Sequence, residues 1–482
     1  MSNDPSTPSG SPGDDGLPPE IMKIFRDLNG GRDLPPQLVE QLKAMGIADA
    51  DPGQVAAMTS QIKTMFTPGA QAKGVDVPGA ITAAREQAES EDHEMGSRET
   101  VLAEQAVRVA SLWLDQVTDL EAPALTGAAM SRAEWIEATM PVWASLVDPV
   151  ADGLSAAIRD SFTARLGDAG APDLQAMGLP PGMDITMLTQ QLAPFVDTMA
   201  STLMTGQTAE AVGTLSSDTL TATEAGVPLL TAQVALLPGN VAAFADGLEV
   251  DLDEVWLHLA AREAARMRLF TAVPWIGPQI LAAIQSYARG MAIDTDAIDA
   301  AVREVDPSDP SAIQEALSGG FLNPTPTAAQ RAALAQLETW LALVEGWVDH
   351  VAASATADHL PHTTAMTETI RRRRATGGPA ERTFSGLVGL ELRPRRLRDA
   401  ANLFAALEER VGASGRDGVW AHPDVAPTAG DLDDVLGFVE RVAADEGSGE
   451  RSDLDDVLES ILREADEGGS AAGGSDSSPG DR

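Results

Sequence analysis

The sequence predicts a mainly α protein: a multi-helix body between disordered N- and C-terminal tails. Three observations predict it. Hydrophobic residues make up 44% of the chain but aromatics only 4%, so the core must be built from Ala, Leu, Val and Met, a helix-favouring set. From about Thr100 onward the apolar positions recur with a 3.6-residue period. Several of those runs follow Asp, Ser or Thr caps or carry a first-turn proline.

Residues 1–17 are Pro, Ser, Gly and Asp, a disordered composition. Residues 18–67 hold short amphipathic stretches ("PPEIMKIFRDLN", "LPPQLVEQLKAMGI", "PGQVAAMTSQIKTMF") that read as small helices. Residues 68–96 are polar and rich in Gly and Glu, and read as a linker. Residues 97–444 form the main helical domain. Within it "ETVLAEQAVRVASLWLDQV" places Val101, Ala106, Val109, Leu112 and Trp113 near one face of a helix. Ser131 and Glu134 have capping-box spacing, which predicts a helix start. Residues 165–180 read as a loop, and the periodicity predicts helices over 251–273, 278–292, 294–304, 311–318, 326–357 and 361–376. Residues 445–482 are an acidic, Gly/Ser-rich tail with one helical island, "SDLDDVLESILRE". Its "DLDDVL" repeats Asp431–Leu436; the plain expectation is two helices with similar acidic caps, and the alternative is that the tail helix mimics the earlier one or competes for its docking site.

The formal charge is −40. So acidic a chain repels phosphates, which excludes generic nucleic-acid binding. Cysteine is absent, which removes disulfides, thiol nucleophiles and cysteine-ligated metal. The N-terminus lacks a basic start and an apolar core, and no run approaches a membrane span. A cytoplasmic location and no membrane role are expected.

The pattern with most chemical content is Arg262-Glu263-Ala264-Ala265-Arg266. It has the spacing of a helical zinc motif, H-E-x-x-H, in which residues four apart bring two imidazoles to one metal and the glutamate polarises water. Arginine has no lone pair to donate and is a fixed cation. Taken alone, R-E-x-x-R reads as a solvated charge face with an i,i+3 pair. His258, one turn earlier, lacks a partner at ligand spacing. His359 and His362 flank Pro361 and read as a helix entrance; with Glu345, Asp349 and His350 shortly before, the alternative is a metal site assembled from these residues. No serine-hydrolase elbow, phosphate loop or dinucleotide fingerprint is present.

"RRRRATGGPAERTFSGLVGLELRPRRLRDA" carries nine arginines, at 371–374, 382, 393, 395, 396 and 398, against three acids. The plain expectation is pairing with carboxylates of the same fold. The alternative is a docking site for an anionic partner at Arg371–Arg398, the chain's own acidic tail among the candidates.

Four stretches together resemble a zincin-like metallopeptidase family of high-GC Gram-positive bacteria, whose members are labelled zinc-dependent metalloproteases or hydrolases. They are "SLWLDQVTDLEAPALTGAAMSRAEWIEATMPVW", "LLPGNVAAFADGLEVDLDEVWLHLAAREAARMRLFTAVPW", "LALVEGWVDHV" and the C-terminal block from "RRRRATGG" to "DDVLGFV". The likeness runs from about Leu102 to Val439. It implies a zincin-like helical body, zinc as the family's metal, Glu263 in the general-base position, and Arg262 and Arg266 in place of two histidine ligands. It also implies that Glu345 begins a second site helix, where Trp347 replaces the histidine of an E-G-H motif. Glu345 and Asp349, four apart, are the residues left to face the site and hold metal. With every imidazole gone, the expectation is a non-catalytic scaffold or regulatory protein that binds no zinc and acts through a protein or peptide partner. The alternative is a divergent metal-dependent hydrolase using Glu263 as base.

Overall fold

A computed structural model describes residues 74–89, 92–93, 95–121, 125–168, 185–231, 233–290, 327–375, 379–388, 390 and 396–448. The helices expected at 18–67, 294–304 and 311–318, and the island in the tail, lie outside those residues. The chain divides into two compact units, one of Met1–Lys73 with Ile158–Ser201 and one of Gly74–Ala157 with Thr202–Arg482. In the first, an Arg159–Asp197 ion pair spans 3.3 Å. The second holds every residue of the site described below.

Thirteen helices and two short strands are described. The stretch read as a linker contains helix α1 (Val77–Ala88). Its small side chains Ala80, Ala84 and Ala88 are one turn apart and all buried, a faint apolar stripe easily lost among polar neighbours. Helix α2 (Ser97–Leu114) buries Ala103, Ala106, Val107, Ala110 and Leu114. Of the residues expected to share one face, Ala106 is buried, whereas Val101 and Leu112 are 48% and 60% exposed. Alanines make most of the close contact on this helix, and their small side chains mark its inner face only faintly.

Strand β1 (Thr126–Ala129) pairs in parallel with β2 (Gln233–Leu236), Thr126 opposite Gln233 and Ala129 opposite Leu236. Helix α2 crosses β1 so closely that a Cβ on Gly127 would lie 2.6 Å from the Ala103 carbonyl oxygen. The segment after helix α4 bends back along β2, with Ala222 N–H donating to Ala235 and Leu237 N–H to Leu220. That bend sets Thr221 and Thr223 over the next helices.

Helix α3 (Arg132–Asp168) starts at the expected capping box, Glu134 N–H donating to Ser131 and Ser131 N–H to Glu134. Helices α4 (Ile185–Asp218), α5 (Pro238–Ala245), α6 (Leu252–Ala272) and α7 (Ile276–Arg289) follow. Helix α8 (Ala328–Ala357) opens on a second capping box, Thr327 with Gln330. Helices α9 (Thr363–Ala375), α10 (Pro379–Val388), α11 (Leu397–Gly418), α12 (Ala429–Asp433) and α13 (Val435–Ser448) complete the order.

Helix α6 is central and buried on nearly every side from His258 to Leu269. Helix α8 packs on α6 and on α11. A Cβ on Gly346 would meet Ala400 at 2.5 Å and the Ala401 nitrogen at 2.7 Å, so glycine there lets α8 and α11 touch backbone to backbone. Trp275, Trp340, Trp420 and Phe404 pack ring against ring where α7, α8 and α11 converge, Trp275 edge-on to Trp340 and Phe404 stacked on Trp420. Among the described residues no single helix is long and apolar enough to cross a membrane.

Candidate functional site

The R-E-x-x-R face points inward. Arg262 is 5%, Glu263 0% and Arg266 1% exposed, which overturns the reading of a solvated charge face. A helix covered all round has no solvent side to offer, so its charges must be paired in place.

Four elements supply the pairs. On α6, the i,i+4 spacing sends both arginines toward α8, whose Glu345 and Asp349 have the same spacing. Arg266 Nε donates to Glu345 Oε1 at 2.8 Å and Nη2 to Oε2 at 3.1 Å. Arg262 donates to Asp349 Oδ1 at 2.6 Å and lies 3.5 Å from Glu345 Oε2. Helix α9 closes the other side. Arg371 Nε donates to Asp349 Oδ2 at 2.7 Å, and Arg374 Nη1 lies 3.0 Å from Glu345 Oε2.

Glu263 is held from above by the bend at Thr221–Thr223. Its Oε1 accepts from the Thr223 N–H and hydroxyl, both at 2.8 Å, and its Oε2 from the Thr221 hydroxyl at 2.8 Å. Arg266 Nη1 also donates to Oε2. Both oxygens are therefore committed, on a side chain with no surface exposed to solvent.

The electrostatics follow from burial set against these pairs. Burial alone would raise the pKa of Glu345, but Arg266, Arg374 and Arg262 outweigh it and bring it to about 2. Burial works against the charge of Arg266, yet Glu345 and Glu263 push its pKa above the usual arginine value. His258, one turn before Arg262, is 1% exposed, and neither ring nitrogen has a partner. Desolvation, then the neighbouring Arg262, lowers its pKa to about 3 against the opposing pull of Asp349.

Trp347 turns away from this cluster. Its indole N–H donates to Asp417 Oδ1 at 2.8 Å, on the α11 side of α8. Asp417 also accepts from Thr118 Oγ1 at 2.6 Å, Asp119 N–H at 3.0 Å and Arg416 Nε at 2.8 Å. His359 stacks on Trp113 with centroids 4.4 Å apart, and His362 Nδ1 sits 3.1 Å from Glu254. Neither joins the Glu345–Asp349 cluster through a described contact, and His350 pairs with Glu408 instead.

Thr221, Thr223 and Glu224 are site residues that carry no motif in the sequence, whereas Arg371, Arg373 and Arg374 belong to the arginine-rich stretch already singled out there. The run "TLTATEAG" at 219–226 carries short hydroxyls beside a glutamate, a weak trace. The direction in which Arg371–Arg374 point is set by packing and not by their own sequence. Within the arginine-rich stretch the described ion pairs are intramolecular, reaching Asp349, Glu368, Glu224, Glu345, Asp218 and Asp433.

A family model described as zincin-like metallopeptidase matches residues 75–439. The chain belongs to that family. A search of curated proteins finds no match. Among solved structures, the chain is similar to a crystal structure from Chloroflexus aurantiacus described as "a putative hydrolase with a novel fold", at 15% identity and a TM-score of 0.48, covering 76% of this chain and 98% of that one.

The family implies zinc, and the donor set here does not fit it. Guanidiniums occupy both ligand positions of the motif and offer no lone pair. Glu345, Asp349 and Glu263 spend their oxygens on arginines and threonines. Among the described residues no group of three or more His, Cys, Asp or Glu is placed to hold a metal ion.

Proposed function

We propose that this chain is a catalytically silent member of the zincin-like metallopeptidase family, acting as a binding or regulatory scaffold. A buried ion-pair core takes the position of the family's metal centre. The reading is carried by Glu263, the residue in the general-base position, which is fully buried with both oxygens hydrogen-bonded. A general base needs a free lone pair within reach of the proton it takes. Zinc hydrolysis in turn uses three protein ligands and an open position. Two arginines beside Glu345 and Asp349 supply positive charge as a divalent cation would, without an open coordination site.

The test is the zinc content of untagged, full-length protein after dialysis against trace zinc. Less than about 0.1 zinc per chain is expected, against the single ion of a zincin site. Near one zinc per chain, lost on Glu345→Gln or His359→Ala, would overturn the proposal and favour a relocated metal centre with hydrolase activity.

A further inference from the structure

Three of the four successive arginines on α9 enter separate, shaped seats. Arg371 meets Asp349 at 2.7 Å, while the opposite oxygen of Asp349 is held by Arg262. Arg373 meets Glu224 Oε1 at 2.6 Å, donates to the Asp218 carbonyl and lies over the Phe244 ring, 5.9 Å from its centroid. Glu224 is pinned for this by the Leu220 N–H, which donates to its other oxygen at 2.7 Å. Arg374 meets Glu345 at 3.0 Å and donates to the Glu224 carbonyl. Arg372 alone turns outward, to Glu368.

A carboxylate, a carbonyl and an aromatic face around one side chain recognise a planar guanidinium rather than positive charge in general. Beneath α9, the carboxylates of Glu263, Glu345 and Asp349 pair with Arg262 and Arg266 of α6, and among the described residues the ion pair of Glu224 is with Arg373 of α9 itself. Without the α9 arginines the groove is acidic. The fit of α9 is also incomplete: the Thr367 hydroxyl and Arg374 Nε are buried without a hydrogen-bond partner, Thr367 being 5% exposed. Such orphaned groups weaken the docking of the helix that carries them.

We infer that the groove beneath α9 is a guanidinium-recognising site for an arginine-rich peptide segment, and that Arg371, Arg373 and Arg374 fill it in cis as an autoinhibitory plug. The inference rests on the scaffold reading and gives that scaffold a ligand class. A tethered occupant has a high effective concentration, so a free peptide binds weakly until the plug is withdrawn.

The experiment uses the full-length chain and a fluorescein-labelled peptide, TETIRRRRAT, with a second peptide carrying lysine at the four arginine positions. Fluorescence anisotropy compares wild type, Arg371→Gln/Arg373→Gln/Arg374→Gln, and that triple variant with Glu224→Gln added. The triple variant should bind the arginine peptide at least about tenfold more tightly than wild type, as expected when a tethered competitor is removed. It should also bind the lysine peptide more weakly, and Glu224→Gln should remove most of the gain. A folded triple variant that binds no better than wild type, or binds both peptides alike through bulk attraction to an acidic chain, overturns the inference. If the triple variant does not fold, Arg373→Gln alone vacates the Glu224 seat, and the absence of any gain there has the same force. Either failure leaves the zinc measurement, and with it the scaffold reading, standing separately.

Discussion

Arg266 grips both oxygens of Glu345, Nε to Oε1 at 2.8 Å and Nη2 to Oε2 at 3.1 Å, with both side chains buried. Bidentate geometry is what makes such a pair tolerable in the interior, where each ion alone has lost its hydration. Glu345 is shared with Arg262 and Arg374, so it is the acceptor on which three cations converge.

Glu345→Gln should cost about 3–5 kcal/mol, the range for breaking a buried pair, read as a fall in urea midpoint. Arg266→Met/Glu345→Met should not recover stability, because Arg262 and Arg374 lose the same acceptor. Because the pKa of Glu345 is depressed to about 2, its contribution is present above its unfolded value near 4.5 and is lost as pH falls toward 2.

His258 should make the fold acid-sensitive at milder pH. Its folded pKa near 3 lies below the unfolded 6.5, so the unfolded state binds the proton first. The stability owed to the neutral ring is complete above about pH 6.5 and declines as pH falls toward 3. Between pH 7 and pH 5 the loss is about 2 kcal/mol. His258→Leu should flatten that slope in urea titrations and leave stability at pH 7 unchanged or higher, since two orphaned ring nitrogens are removed.

Glu263→Gln keeps the shape but presents an amide N–H₂ to threonine and arginine donors. A loss of roughly 3 kcal/mol is expected in urea denaturation, with no change in any background hydrolysis of a casein substrate. Loss of hydrolysis at unchanged stability would count against the scaffold reading.

Gly346→Ala should lower stability by about 1–3 kcal/mol through overpacking, seen as a lower melting temperature. The added methyl would face the Ala400–Ala401 backbone, which cannot move aside as a side-chain tip can.

The helical architecture was legible because period and caps are local. The expected spans 251–273 and 326–357 correspond to α6 at Leu252–Ala272 and α8 at Ala328–Ala357. Where the reading slipped, at α1 and on α2, the inward face is made of alanines. Alanine marks a helix without marking which side of it is covered.

The sequence by itself determined the helices, the family, and the arginines at positions 262 and 266 of the R-E-x-x-R pattern. It also placed Arg262 with Arg266, and Glu345 with Asp349, one turn apart on their helices. Only the tertiary structure decided that these faces meet, that Thr221 and Thr223 saturate Glu263, and that Arg371 and Arg374 reach the same carboxylates from a third helix. A charge on a helix can be solvated or buried with equal local propensity. Packing against other elements decides which, and so turns a surface-like R-E-x-x-R into the charged centre of the core.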